Sequence, residues 1–177
     1  MGRTRQLALL AALAGVLALP AAAATVKADI ALATDNGPGA KIGVVTFRDT
    51  PAGAKITVQL HGLPPGQHGF HVHAKPSCEA YVVAGVAVPA SGAGGHFDPG
   101  MAKMHMGPEG AGHLGDLPFL TIGATGADRE TLLAPHITDV SVLKGHAVMI
   151  HAGGDNYSDD PKPLGGGGAR IACGIVE

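Results

Sequence analysis

Val26-Lys27-Ala28-Asp29-Ile30-Ala31-Leu32 alternates without a break: Val26, Ala28, Ile30 and Leu32 fall on one face, Lys27 and Asp29 on the other. Successive side chains of an extended chain point to opposite sides, so this period of two predicts a half-buried β-strand. Reading outward, Ile42, Val44, Val45 and Phe47 predict a second strand, with a bulge near Gly43 or Val45. Ile56, Val58 and Leu60 predict a third. Asp35-Asn36-Gly37-Pro38-Gly39 and Asp49-Thr50-Pro51-Ala52-Gly53 carry turn chemistry between them. Further candidates are residues 69–73, 131–133, 147–151 and 169–176, while 74–130 and 152–168 read as long, glycine-rich loops. Short strands with almost no helical periodicity predict an all-β, antiparallel sandwich or barrel. Loops of that length in a compact domain need something to hold them, and they are where function concentrates.

The chain has 177 residues, enough for one domain, and neither a linker nor an internal repeat divides it. With 46% hydrophobic and 15% charged residues, and 28 glycines in no strict period, it is not collagen, coiled coil or a disordered chain. No run of Lys or Arg exists and aromatics are 3%, so nucleic acid is excluded as an expected partner. Residues 1–24 have Arg3 and Arg5, an apolar run from Leu7 to Leu19, and small residues ending Ala22-Ala23-Ala24. That order predicts a secretory signal peptide cleaved after Ala24. The run is too short for a bilayer span, which needs ~20 apolar residues, so no membrane anchor is expected. Cleavage leaves residues 25–177 as the domain, with a formal charge of −4. In an exported chain Cys78 and Cys173 can pair; two buried thiols are the alternative.

Ten histidines stand against those two cysteines. His71 and His73, two apart on a strand, share one side while Phe70 and Val72 enter the core, so both imidazoles face outward and can chelate copper or zinc. His96, His105, His113 and Asp116 lie within 21 residues of loop and make a four-coordinate N/O set suited to zinc. His151 ends an apolar strand, and Asp155, four residues on, can accept the free ring N–H of a metal-bound imidazole. His61, His68, His136 and His146 fit no such pattern and read as surface or structural.

His68-Gly69-Phe70-His71-Val72-His73, Gly94-Gly95-His96-Phe97-Asp98-Pro99, the stretch 105–120 with Gly112-His113-Leu114-Gly115-Asp116, and the stretch 151–176 with Gly165-Gly166-Gly167-Gly168-Ala169-Arg170-Ile171-Ala172-Cys173-Gly174 resemble the copper/zinc superoxide dismutases of the bacterial periplasmic type. The resemblance implies a Greek-key β-barrel with long metal-binding and active-site loops. It implies one copper per subunit on His71, His73, His96 and His151, and one zinc on His96, His105, His113 and Asp116, with His96 shared. Asp155 would link His71 to His105, Cys78 and Cys173 would form a disulfide, and Arg170 would stand beside the copper channel, acting with His96 in catalysis. The implied reaction is an antioxidant oxidoreduction, two superoxide anions giving dioxygen and hydrogen peroxide.

The −4 charge opposes an anionic substrate, so a local positive group must attract it. Arg170 is the first candidate, and Lys75, Lys103 and Lys162 lie on the same candidate loops. Two places depart from the family: Met104 stands where bacterial members often carry Lys, and residues 80–89 form an apolar run instead of a charged turn. That run is either packed into the core or an exposed contact surface through which a homodimer would form. A zinc hydrolase on His105, His113 and Asp116 lacks an obvious general base, and a non-catalytic copper store would be favoured by a missing ligand or arginine, none of which is missing.

Overall fold

The computed structural model describes residues 23–177. The expected leader, apart from Ala23 and Ala24, lies outside them. Eleven strands follow in order: β1 (Thr25–Thr34), β2 (Gly37–Thr50), β3 (Gly53–Leu60), β4 (Gly66–His68), β5 (Phe70–His73), β6 (Tyr81–Val83), β7 (Val86–Val88), β8 (Leu120–Ile122), β9 (Thr131–Ala134), β10 (Ala147–His151) and β11 (Arg170–Ile175). The only helical segments among the described residues are three short 3₁₀ turns, and no helix there is long and apolar enough to cross a membrane.

Seven strands form one antiparallel sheet in the order β5-β10-β11-β1-β2-β3-β9, and β4 continues β5 to pair with β8. β1, β2 and β3 are sequential neighbours, but the chain then crosses from β3 to β4 and β5 at the far side of the sheet, and later returns from β9 to β10. These two crossings are the Greek key. Residues of both halves, among them Ile30, Phe47, Val58, Phe70, Val72, Leu120, Val148 and Ile150, meet in one buried cluster, so the sheet curls into a barrel around a single core. Fully burying side chains such as Phe47 and Phe70 contributes about 1.5–3 kcal/mol each relative to leaving them in water.

Alternation in β1 holds: Val26, Ala28 and Ile30 are buried, Lys27 and Asp29 exposed. The bulge falls at Ile42, because Ile30 pairs with Gly43 while Ala31 pairs with Lys41. Gly43 takes φ +143°, and a Cβ there would run into the backbone of Gln59 on β3. β2 starts five residues earlier than the apolar pattern suggests, since Gly37 and Pro38 already pair with Thr34 and Ala33 and only Asp35-Asn36 make the turn. Within the long loop 74–130 the structure adds β6, β7 and β8. β6 and β7 form a hairpin turning at Ala84 and Gly85, both at positive φ, and it stands in solvent rather than in the core.

Cys78 and Cys173 are joined in a disulfide across a sequence separation of 95 residues, tethering the segment after β5 to β11. Closing a loop of that size stabilises the chain by about 4–5 kcal/mol in the chain-entropy account. A Cys78→Ser/Cys173→Ser variant is expected to lose that much unfolding free energy in a urea titration.

A second stability feature lies beside β3. Asp128 and Glu130 flank Arg129 on an extended segment bonded to β3, through Leu60 N–H to Asp128 O and Val58 N–H to Glu130 O. Burial, and then the adjacent Asp128 carboxyl, push Glu130 up to about 7 from an ordinary value near 4.5. A group whose folded pKa is raised favours the fold below its unfolded pKa, and that contribution is lost as pH rises to the folded value. Stability is therefore expected to fall between pH 4.5 and 7. Glu130→Gln should flatten that slope and, after solvent screening, gain about 1 kcal/mol at pH 8, measured by denaturation across pH.

Candidate metal centre

The centre is built on the side of β5 and β10 away from the core. His71 and His73 sit opposite Met149 and Ala147 of β10, and His151 closes that strand. Phe70 and Val72 enter the core as their alternation predicts. The two imidazoles do face away from it, yet they are buried: loops cover them. Backbone bonds from Phe97 N–H to Val72 O and from Val72 N–H to Gly115 O lay segments 94–97 and 115–117 along β5. The first brings in His96 and the second Asp116, while His105 and His113 come from the loop between them.

Six histidines and two aspartates converge. Potential ligand atoms of His71, His73, His96 and His151 lie within 4.8 Å of one another, as do those of His96, His105, His113 and Asp116, and those of His71, His105 and Asp155. His96 belongs to the first two groups. Its Nδ1–H donates to Asp116 Oδ1 at 2.8 Å, while its buried Nε2 has no partner. His71 packs on its ring at 4.1 Å between centroids. Asp155 lies between the groups, accepting from His71 Nε2–H and His105 Nε2–H, both at 2.7 Å.

Buried imidazoles lose the hydration that would stabilise a positive charge. Burial pushes His71 down to about 3 against the pull of Asp155, and His151 down to about 4. His73 and His96 are lowered for the same reason. Four neutral rings with free nitrogen lone pairs are what a metal requires. His105 differs: burial opposes its charge, but hydrogen bonds to Asp116 and Asp155 outweigh burial and raise it to about 9. Both aspartates resist the effect of burial through their histidine donors and stay well below the usual carboxylate range.

The donor chemistry can be tested without any ion present. His71 Nδ1 and His96 Nε2 are buried without hydrogen-bond partners, a costly condition unless something else satisfies them. An all-imidazole group beside a three-imidazole, one-carboxylate group fits copper and zinc respectively.

Arg170, half-buried at the start of β11, donates through Nη1 to Ala90 O and through Nη2 to Gly94 O, each at 2.6 Å. Gly94 O also accepts from His73 Nδ1–H at 2.9 Å, so one carbonyl joins the guanidinium to the first group. The positive charge of Arg170 is close enough to depress both His73 and His151.

Residues 41–176 match the family described as "Copper/zinc superoxide dismutase (SODC)". The superoxide dismutase [Cu-Zn] of Escherichia coli (strain K12) is 49% identical over 168 residues, covering 95% of this chain and 97% of that protein. The chain belongs to the copper/zinc superoxide dismutase family. The Cu/Zn superoxide dismutase structure from Brucella abortus superposes with a TM-score of 0.85 at 48% identity, covering 87% of this chain and 100% of that one. The monomeric copper, zinc superoxide dismutase from Salmonella enterica gives 0.78 at 49% identity over 87% of this chain and 100% of that one. As a copper/zinc superoxide dismutase the chain is an oxidoreductase that disproportionates superoxide and uses copper and zinc.

Of the remaining histidines, His61 and His136 are exposed and His146 lies on Phe97 at 4.0 Å. His68 is buried, its ring nitrogens meeting the carbonyls of His151 and Pro64. Lys75, Lys103 and Lys162 are all exposed. The sequence reading overlooked the groups that position the loops. Asp159 accepts from His105 N–H and Leu164 N–H, and Tyr157 Oη accepts from Phe119 N–H. Gly165, at φ +72°, packs so closely that a Cβ would overlap the Asp155 carboxylate. Nothing in local patterning marks the first two; the four-glycine run 165–168 was a signal for the third.

Proposed function

We propose that His71, His73, His96 and His151 hold the copper and that His96, His105, His113 and Asp116 hold the zinc, one of each per chain, with His96 common to both. Two four-residue groups sharing one imidazole carry this assignment. Bound there, copper supplies a centre that accepts and returns one electron, and zinc a charge with no redox change. The protein does the rest. Asp155 orients His71 and His105 through its two oxygens and so keeps the groups in register. His96 Nε2, the nitrogen without a partner, holds and releases the proton that the reduced oxygen species needs. Arg170 supplies the positive charge that draws superoxide in.

Metal analysis and superoxide consumption on the copper- and zinc-loaded protein test the assignment. Copper and zinc in equal amounts with rapid consumption are expected; zinc alone or neither metal, with no consumption, overturns it. Asp155→Asn should weaken metal retention about 10–100-fold, because an amide cannot accept from both histidines.

We further infer export to the periplasm and cleavage after Ala24. The basic, apolar, small-residue order of residues 1–24 supports this, as does the start of β1 at Thr25. Mature protein beginning at Met1 would contradict it. Tyr81, Val82, Val83 and Val86 of the exposed hairpin form the surface on which a homodimer would assemble. A mass independent of concentration in light scattering would leave the chain monomeric.

A further inference from the structure

Of the five methionines, Met1 lies outside the described residues and Met149 is buried in the cluster with Ala147, Cys78 and Cys173. The other three fall within six residues, Met101-Ala102-Lys103-Met104-His105-Met106, and all are exposed, at 75, 51 and 43%. Three long apolar side chains shown to water within one turn of loop gain nothing from burial. Nor is the loop left free. Asp98 accepts Ala102 N–H and Lys103 N–H through its two oxygens at 2.9 Å, and Met101 N–H bonds Asp98 O. Met101 and Lys103 both take φ above +50°, a left-handed backbone that non-glycine residues adopt at a cost. The segment is also bonded to the proposed zinc ligands: Met104 O accepts His113 N–H, and Met106 N–H donates to Asp116 Oδ2 at 3.2 Å.

We propose that Met101, Met104 and Met106 form a separate soft-donor site for a monovalent copper ion, on the outer surface of the loop that carries His105. Thioether sulfur is a soft, neutral ligand that selects Cu(I) over the zinc and hydrated cations that imidazole and carboxylate also take. It has no proton to lose, so binding is a simple ligand exchange, with no electron transferred and no dependence on pH in the range where histidines protonate. Lys103 is the one cation inside the trio, and its exposed ammonium is screened by water and salt. The purpose of such a site, holding copper next to the histidines that keep it, rests on the copper reading above; the binding itself does not.

The test uses the copper- and zinc-loaded protein, with the histidine groups filled, and Ag(I) as a redox-inert stand-in for Cu(I). Equilibrium dialysis with metal analysis counts the silver bound and the copper retained, while methionine methyl NMR locates the site. One Ag(I) per chain is expected, with the methyl signals of Met101, Met104 and Met106 shifted and that of Met149 unmoved. The variant Met101→Leu/Met104→Leu/Met106→Leu keeps the apolar volume and should lose the silver. Silver bound equally by that variant, or methyl signals that stay in place, overturns the proposal. Failure of the copper and zinc assignment would show instead as the wrong metal ratio in the native protein before silver is added.

Discussion

A His96→Ala protein is expected to retain neither copper nor zinc at full occupancy and to consume superoxide at least ~10²-fold more slowly than the native chain. The substitution removes a ligand from each of two groups at once, because His96 is the residue they share. It also deletes the Nδ1–H bond to Asp116 Oδ1 and the ring on which His71 packs, so the surviving ligands lose their orientation as well as their partner. The barrel should survive, since the core is built from other residues and the His96 ring sits outside it. Metal analysis, circular dichroism and a superoxide assay on one preparation separate these effects. Normal occupancy of both metals with normal turnover would show that no shared imidazole is needed.

Arg170→Glu is expected to slow superoxide capture by ~10–10³-fold and to reverse the ionic-strength dependence, so that added salt helps the variant while it slows the native enzyme. The substitution changes the local charge by two units, in a chain whose net charge already repels the substrate. It has a structural cost too: Ala90 O and Gly94 O lose charge-assisted donors that contribute about 1.5–3 kcal/mol each. The Cys78–Cys173 disulfide ties the segment preceding these carbonyls to β11, so the chain should still fold. Arg170→Lys separates the two roles. A lysine keeps the charge but cannot span both carbonyls with one planar fork. Retained salt dependence with loosened metal binding would mark Arg170 as a clamp on the loop, whereas near-native kinetics in Arg170→Glu would remove it from substrate capture.

β1 and β3 were readable because a half-buried strand writes its burial into every second residue, β5 because Phe70 and Val72 alternate with two histidines, and β10 as an apolar run. β4 and β8 have three residues each, too few for alternation to stand out, and β6 and β7 are apolar yet face water, the reverse of the rule used to find strands. Their turn, Ala84-Gly85, carries one recognisable residue and was read as loop. At the site, His71 and His73 could be paired from their spacing alone, since two positions along a strand share a face. The grouping of His96, His105, His113 and Asp116 followed from the density of donor side chains in one loop. What stayed hidden depends on backbone atoms brought together by the fold: the Gly94 carbonyl shared by Arg170 and His73, and the amides of His105 and Leu164 held by Asp159. Carbonyls and amides are the same at every position, so no residue pattern announces which of them will be used. Burial of the outward-facing histidines was missed for the same reason, because the loops that cover them attach through main-chain bonds.

β5 is the terminal strand of its sheet, with β10 on one side only, and on the other its amides and carbonyls are satisfied by the loops that bring His96 and Asp116. Emptying the metal groups is expected to loosen those loops and to uncover a row of unpaired backbone groups. Such a row is a template onto which a strand of another molecule can add, whereas β4 beyond it is paired with β8. Demetallated protein should therefore self-associate through intermolecular β-pairing under conditions where the loaded protein stays dispersed. Bound ions would thus act as guardians of solubility as well as agents of catalysis.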